Sequence, residues 1–165
     1  MSKIWFLFFL LLISFVIVGG YVSRNPLITD DLTPLSSCDK LIEQSDLLLV
    51  IPEYENHSLD LYPEWCEKMR SYHKTFGLHG INHEYHEFLK PVDKAKFTRA
   101  TISFEKCFGY KPTIFRPPYN KISAENKALV ESFNMTVYQE TYLHHPYCHC
   151  QPQGLMKLLN QIIGC

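Results

Sequence analysis

With 165 residues, 46% hydrophobic and 20% charged, the chain has room for one globular domain once its N-terminus is set aside, and no second domain is expected. A formal net charge of -1 without a basic run offers no surface for tracking phosphates, which argues against DNA or RNA as a partner.

Residues 4–22 carry no charge and include Trp5-Phe6-Leu7-Phe8-Phe9-Leu10-Leu11-Leu12-Ile13, with Lys3 in front and Gly19-Gly20 near the end. About nineteen apolar residues can just span a bilayer as a helix, whereas a cleaved signal peptide has a shorter apolar region and a small-residue site, for which Val18 and Gly20 would serve. The expectation is a hydrophobic helix at 1–23, acting as signal anchor or signal peptide, and a domain at 24–165 outside the cytoplasm, membrane-anchored or secreted. Six cysteines, Cys38, Cys66, Cys107, Cys148, Cys150 and Cys165, suit disulfides in an oxidising compartment, although six allow fifteen pairings. Asn56-His57-Ser58 and Asn134-Met135-Thr136 are glycosylation sequons.

Taken in order, 26–29 reads as a short extended segment running into Asp30-Asp31, with Leu32-Thr33-Pro34 turning the chain. One or two helical turns follow at 38–44, and Leu47-Leu48-Leu49-Val50-Ile51 is a continuous apolar run stopped by Pro52. Continuous rather than alternating hydrophobicity predicts a strand covered on both faces, as in a parallel sheet. A polar loop at 56–60 leads to a helix at 63–74, with Pro63 in its first turn and Trp65, Met69 and Tyr72 as its stripe. A strand at 75–78 delivers His79. From Val92, residues Phe97, Ala100, Thr101, Phe104 and Phe108 recur at helical spacing up to Gly109. A strand at 112–115, a helix at 123–133 capped by Ser123, a strand at 135–139 and an amphipathic helix at 154–163 complete the chain.

Strands and helices therefore alternate, and Asp30, Asp31, His79 and Arg116 fall just after the C-terminal ends of three predicted strands. Active sites of parallel sheets and β/α barrels gather at that edge. In Gly77-Leu78-His79-Gly80-Ile81-Asn82-His83-Glu84 two imidazoles stand four apart, a spacing that one turn would bring to the same side to share a divalent metal such as Zn2+. Catalytic zinc usually takes three protein ligands, so a carboxylate is needed, and Asp30-Asp31 offers one for the metal and one for proton transfer. The zinc-protease motif is excluded, because His83-Glu84-Tyr85-His86 is one residue too short to return its second histidine to the same helix face. Cys148-His149-Cys150, beside His144 and His145, reads either as a second metal cluster or as one or two disulfide positions.

The ordered set Thr29-Asp30-Asp31, His79-Gly80-Ile81-Asn82-His83 and Arg116-Pro117-Pro118-Tyr119 resembles the first three motifs of the polysaccharide deacetylase superfamily (NodB homology, carbohydrate esterase family 4). It is similar in particular to a small deacetylase-like branch with glycine after the first histidine. The resemblance covers about 27–150 and implies an α/β fold, a shortened (β/α) barrel, complete or incomplete. It implies Asp30 as general base, Asp31, His79 and His83 as metal ligands, Arg116 as the group orienting the base, and Tyr119 in the groove. A late histidine after a leucine, His144 or its neighbour His145, would be the acid that protonates the leaving amine. Leu32 replaces a glycine common in the family, and the family's acidic motif is not visible.

The function implied is metal-dependent removal of N-acetyl or related acyl groups from a glycan. Two alternatives are a carbohydrate-binding or structural module that keeps the metal without turnover, and a metal-handling protein centred on Cys148-His149-Cys150.

Overall fold

The structure, a computed structural model, describes residues 3–22, 27–139, 147–150, 152–163 and 165. In chain order they form α1 (Lys3–Val22), β1 (Ile28–Leu32), α2 (Asp39–Gln44), β2 (Leu47–Val50), the hairpin β3 (Glu53–Tyr54) and β4 (His57–Ser58), and α3 (Pro63–Ser71). Then come β5 (Thr75–His79), α4 (Lys94–Phe108), β6 (Ile114–Arg116), α5 (Ala124–Glu131), β7 (Thr136–Val137), β8 (Tyr147–His149) and α6 (Gly154–Ile163).

Six strands make one parallel sheet in the order β7-β6-β5-β2-β1-β8. This is the expected α/β architecture, a parallel sheet with helices between its strands. Among the described residues β7 and β8 do not pair, so the arc is open between them.

The sheet's two faces follow from the period-2 alternation of strand side chains. Leu48 and Val50 of β2, Phe76 and Leu78 of β5 and Phe115 of β6 join one large cluster with Met69 of α3 and Phe97, Phe104 and Phe108 of α4. The rings interlock, Phe76 stacking on Phe108 with centroids 4.4 Å apart. Each fully buried side chain of this size contributes about 1.5–3 kcal/mol, so this helix-covered face is the main source of stability. The opposite face holds a smaller cluster of Ile28, Leu47 and Leu49, packed by Ile114 and Tyr138. The functional residues rise from this second face: His79 shares the strand face of Gly77, Arg116 that of Ile114, and Asp30 that of Ile28.

Local chemistry places the helices. Asp93 caps α4 by accepting from the Ala95 amide at 2.9 Å, and Gly109 ends it at φ 81°. Ser123 caps α5 by accepting from the Asn126 amide at 3.2 Å. Asn126, buried, donates to the carbonyls of Phe88 and Lys90, both at 2.6 Å, and accepts from Val92 N at 3.1 Å, which ties the entry of α4 to α5.

Three expectations change. The helix at 63–74 ends at Ser71, and the polar loop at 56–60 contains the turn and second strand of a hairpin, which Glu53 anchors by donating from its amide to Ile81 O at 2.9 Å. The six cysteines form Cys38–Cys150, Cys66–Cys107 and Cys148–Cys165, so a metal cluster centred on Cys148-His149-Cys150 is ruled out: its thiolates are consumed. The N-terminal helix forms as expected and exposes apolar side chains such as Ile4 and Trp5. Among the described residues no helix is long and apolar enough to cross a membrane. Membrane anchoring stays a proposal.

Candidate active site

A cleft of about 670 Å³ opens at the C-terminal edge of the sheet, with Asp30, Asp31, His79, His83, Arg116 and His149 in its wall. Sequence position alone would send Asp30 and Asp31 to opposite faces of β1. The register shows why it does not: Thr29 pairs with Leu48 and Leu32 with Val50, so β1 carries one extra residue in a bulge. Asp31 takes the left-handed conformation at φ 64°, which aspartate tolerates better than most residues, and both carboxylates reach the cleft. The aspartates are thus inside the strand, in its bulge, and not beyond its end.

His79 is the last residue of β5 and pairs in register with Arg116, the last of β6. Its Nδ1 lies 3.1 Å from the Arg116 carbonyl oxygen. A carbonyl only accepts, so Nδ1 carries the proton and Nε2 presents its lone pair to the cleft. Gly80 then turns the chain at φ 71°; a Cβ there would lie 2.4 Å from Pro118 Cγ and 2.5 Å from Glu87 Oε2. The Glu87 carboxylate accepts from Ile81 N at 3.0 Å and Asn82 N at 2.8 Å, and so fixes the loop that carries His83. His83 lies at φ 61° in that loop. The two histidines therefore meet through a strand end and a left-handed loop, where one turn or a first helical turn was expected; the glycine and the Glu87 bonds bend the chain more tightly than a helix would.

His79 Nε2 stands 3.3 Å and His83 Nε2 3.0 Å from Asp31 Oδ1, and the three ligand atoms lie within 4.8 Å of one another. Asp31 Oδ1 is buried without a well-formed hydrogen bond. Facing lone pairs of an imidazole and a carboxylate repel unless positive charge lies between them. Tetrahedral zinc with bonds of about 2.0–2.1 Å has ligand-to-ligand edges of about 3.3–3.4 Å, close to the two separations from Asp31 Oδ1. The donor set therefore fits a divalent transition metal.

Burial by itself would raise the Asp31 carboxyl, but the hydrogen bond with His149 and the contacts with His79 and His83 outweigh it and hold the group well below the usual carboxylate range. The ligand oxygen is accordingly anionic at neutral pH.

Asp30 is buried at 2% exposure, with Oδ2 3.1 Å from Arg116 Nε and 3.9 Å from His79 Nε2. Its other oxygen, Oδ1, is buried without a hydrogen-bond partner among the described residues. Arg116 is itself 1% exposed and lies 5.9 Å over the Tyr138 ring. A buried carboxylate is tolerable because the guanidinium compensates it, and the partnerless oxygen is the one available to a reacting group. Around the mouth stand Tyr54, Tyr85 and Tyr119, the last two edge to face at 5.2 Å. Burial, with Glu55 and Asp31 nearby, pushes the Tyr54 phenol up, so it is a neutral donor at neutral pH.

Five of the six site residues expected from sequence thus converge: Asp30, Asp31, His79, His83 and Arg116. His144 lies outside the described residues, as does His145. Sequence reasoning missed His149 as a neighbour of Asp31 (Nδ1 to Oδ2, 2.6 Å) and Glu87 as the loop anchor. The signal for His149 was its pairing opposite Asp30, which three residues of strand are too few to announce.

A parallel sheet that gathers carboxylates and histidines at its C-terminal edge has the layout in which α/β proteins place their sites. The chain belongs to the polysaccharide deacetylase family, whose model matches residues 14–138. The match does not single out the small branch with glycine after the first histidine. No curated protein sequence matches the chain. Among solved structures it is similar to the Bc1960 peptidoglycan N-acetylglucosamine deacetylase, with TM-score 0.59 and 16% identity over 84% of this chain and 78% of that one. It is also similar to the T48 deacetylase, with TM-score 0.54 and 16% identity over 84% and 81%. A third is the family 4 carbohydrate esterase from Streptomyces lividans, with TM-score 0.52 and 15% identity over 67% and 59%. At these identities the likeness is one of fold. The chain spans 59% of the Streptomyces lividans esterase and 55% of the Bacillus subtilis peptidoglycan deacetylase PdaC.

Proposed function

We propose that the protein is a metal-dependent hydrolase that removes N-acetyl groups from a glycan, with Asp30 as base. The observation that carries this is the pairing of two unlike carboxylates: Asp31 facing His79 and His83, and Asp30 held by Arg116 beside them with a buried oxygen unengaged. Family membership supports the chemistry, and the acetylated glycan as substrate follows from it.

Asp31, His79 and His83 would hold the ion, most simply Zn2+. When bound, the metal lowers the pKa of water and polarises the amide carbonyl. Asp30 accepts the proton of the attacking water as its oxygen bonds to the carbonyl carbon. Arg116 holds and aims the Asp30 carboxylate, through a fixed planar donor that a lysine would not reproduce. As the carbon–nitrogen bond breaks, the amine leaves with a proton supplied by a late histidine, His144 in this proposal. Tyr54, Tyr85 and Tyr119 give the mouth of the cleft ring faces and a phenol donor suited to a sugar.

The same proposal places the domain outside the cytoplasm, secreted or held to a membrane by its N-terminal segment. Three disulfides and the exposed apolar side chains of α1 support it.

The test is acetate release from N-acetylated sugar oligomers by the metal-loaded protein, with and without chelator, in wild type and Asp30→Asn. The expected outcome is chelator-sensitive release that falls roughly 10²- to 10⁴-fold in the variant while the ion stays bound. Unchanged release in Asp30→Asn identifies another base. A wild-type protein that binds metal and sugar but releases nothing is a binding module.

A further inference from the structure

His149 takes no part in the chemistry above, yet it makes a short contact in the site: its Nδ1 lies 2.6 Å from Asp31 Oδ2. An ionised carboxylate only accepts, so Nδ1–H is the donor. One Asp31 oxygen is thereby engaged, and the other is turned toward His79 and His83. This control matters because Asp31 sits in a bulge at positive φ, where its backbone alone does not fix the rotation of the carboxylate.

What holds His149 is unusual. Strand β8 is three residues long, lies at the sheet edge and pairs with β1. Strands this short are marginal by hydrogen bonding alone. Here both flanking residues are cross-linked: Cys148 to Cys165 beyond α6, and Cys150 to Cys38 before α2. Cys150 N also donates to Asp30 O at 3.0 Å, and Asn160 Nδ2 of α6 to His149 O at 3.0 Å.

We propose that His149 is a positioning residue for the metal centre, setting the Asp31 carboxylate, and that the disulfides Cys148–Cys165 and Cys38–Cys150 clamp it in place, so that metal affinity depends on their oxidation. Each disulfide that opens takes up two electrons and two protons from a dithiol reductant, which becomes the disulfide. β8 is then free to part from β1, His149 leaves Asp31 Oδ2, and the ion is held less tightly. The inference rests on the metal site of the proposed function.

The experiment is zinc affinity, by competition with a chromophoric chelator, for the oxidised wild type, His149→Ala, His149→Asn and Cys148→Ser/Cys165→Ser. Asparagine can present its Nδ2 donor near the place of Nδ1. Outer-shell partners of metal ligands typically account for about 10- to 100-fold in affinity. The expected outcome is a loss of that size in His149→Ala, wild-type affinity or nearly so in His149→Asn, and a loss in the cysteine pair no larger than that in His149→Ala. Equal affinity in wild type and His149→Ala overturns the positioning role. Full affinity in the folded cysteine pair overturns the clamp, and so does a pair that fails to fold, since the link would then be a staple for the whole chain. A wild type that binds no zinc overturns the proposed function instead, which keeps the two failures apart.

Discussion

On the β5–β6 side of the cleft, His79, His83 and Arg116 are placed by the backbone: register pairs His79 with Arg116, Gly80 makes the turn and Glu87 ties down the loop. On the β1–β8 side, Asp31 and His149 are placed by a bulge and by cross-links from residues 112 and 17 positions away. One half of the site is built from neighbours in sequence and in the sheet, the other from distant parts of the chain. The first half should fail through local strain, and the second through loss of covalent connection.

A cross-link that belongs to neither half sharpens this contrast most. Cys66–Cys107 joins α3 to α4 within the large cluster, on the face opposite the site, and closes a separation of 41 residues. In the chain-entropy account a loop of that size corresponds to about 4 kcal/mol, within the usual cost of about 2–5 kcal/mol for losing a native disulfide. Cys66→Ser/Cys107→Ser should lose that much in urea unfolding and keep the zinc affinity of wild type. A parallel fall in affinity would mean that any loosening of the fold disturbs the site, and the distinction between the disulfides would collapse.

The next effect tests the backbone half. In Gly80→Ala the new Cβ would meet the Pro118 ring at 2.4 Å and the Glu87 carboxylate at 2.5 Å, at φ 71°. Positive-φ strain and overpacking each cost about 1–3 kcal/mol, and the displaced Glu87 would loosen the loop of His83. The control is Gly109→Ala, with φ 81° and nothing within 4 Å of its Cβ, which carries the strain alone. Gly80→Ala should lose more stability than Gly109→Ala by thermal melting, and it alone should weaken zinc binding. Equal losses with unchanged affinity would show that the loop is not what places His83.

The two halves also differ in how far the sequence reveals them. Strands β2, β5 and β6 are legible because apolar runs end in polar residues, and α4 because its stripe stops at Gly109. The His79 and His83 pair is legible from spacing even though the geometry behind it is a loop. The orientation of Asp31 is not, because a bulge is a property of register with β2, and register is a relation between segments. His149 escapes for the same reason: Tyr147–His149 is too short to read as a strand until β1 supplies its partner. Of the fifteen possible disulfide pairings, nothing local selects the two that bracket it.

The smallest expected effect lies in the outer layer and sets the scale for interactions that place nothing in the site. Asp60 accepts from Lys106 Nζ at 2.8 Å and from Ser58 Oγ at 2.6 Å, joining the turn after β4 to α4. Lys106 first, then Ser58, hold its carboxyl below the ordinary value against a small opposing effect of burial. A depressed carboxylate stabilises the fold at pH above its unfolded value of about 3.9, and that contribution is lost as pH falls through the lower folded value. Partly exposed pairs of this kind contribute about 0–1 kcal/mol. Asp60→Asn should therefore be less stable than wild type by at most about 1 kcal/mol in urea at pH 7. The gap should close at a pH below the folded value of Asp60, and also at pH 7 in about 1 M salt, where charges are screened within about 3 Å. Zinc affinity should not move. A gap that survives both acid and salt would mean that the asparagine disturbs the Ser58 and Ser103 hydroxyls beside it, and that this corner is held by hydrogen-bond geometry and not by charge.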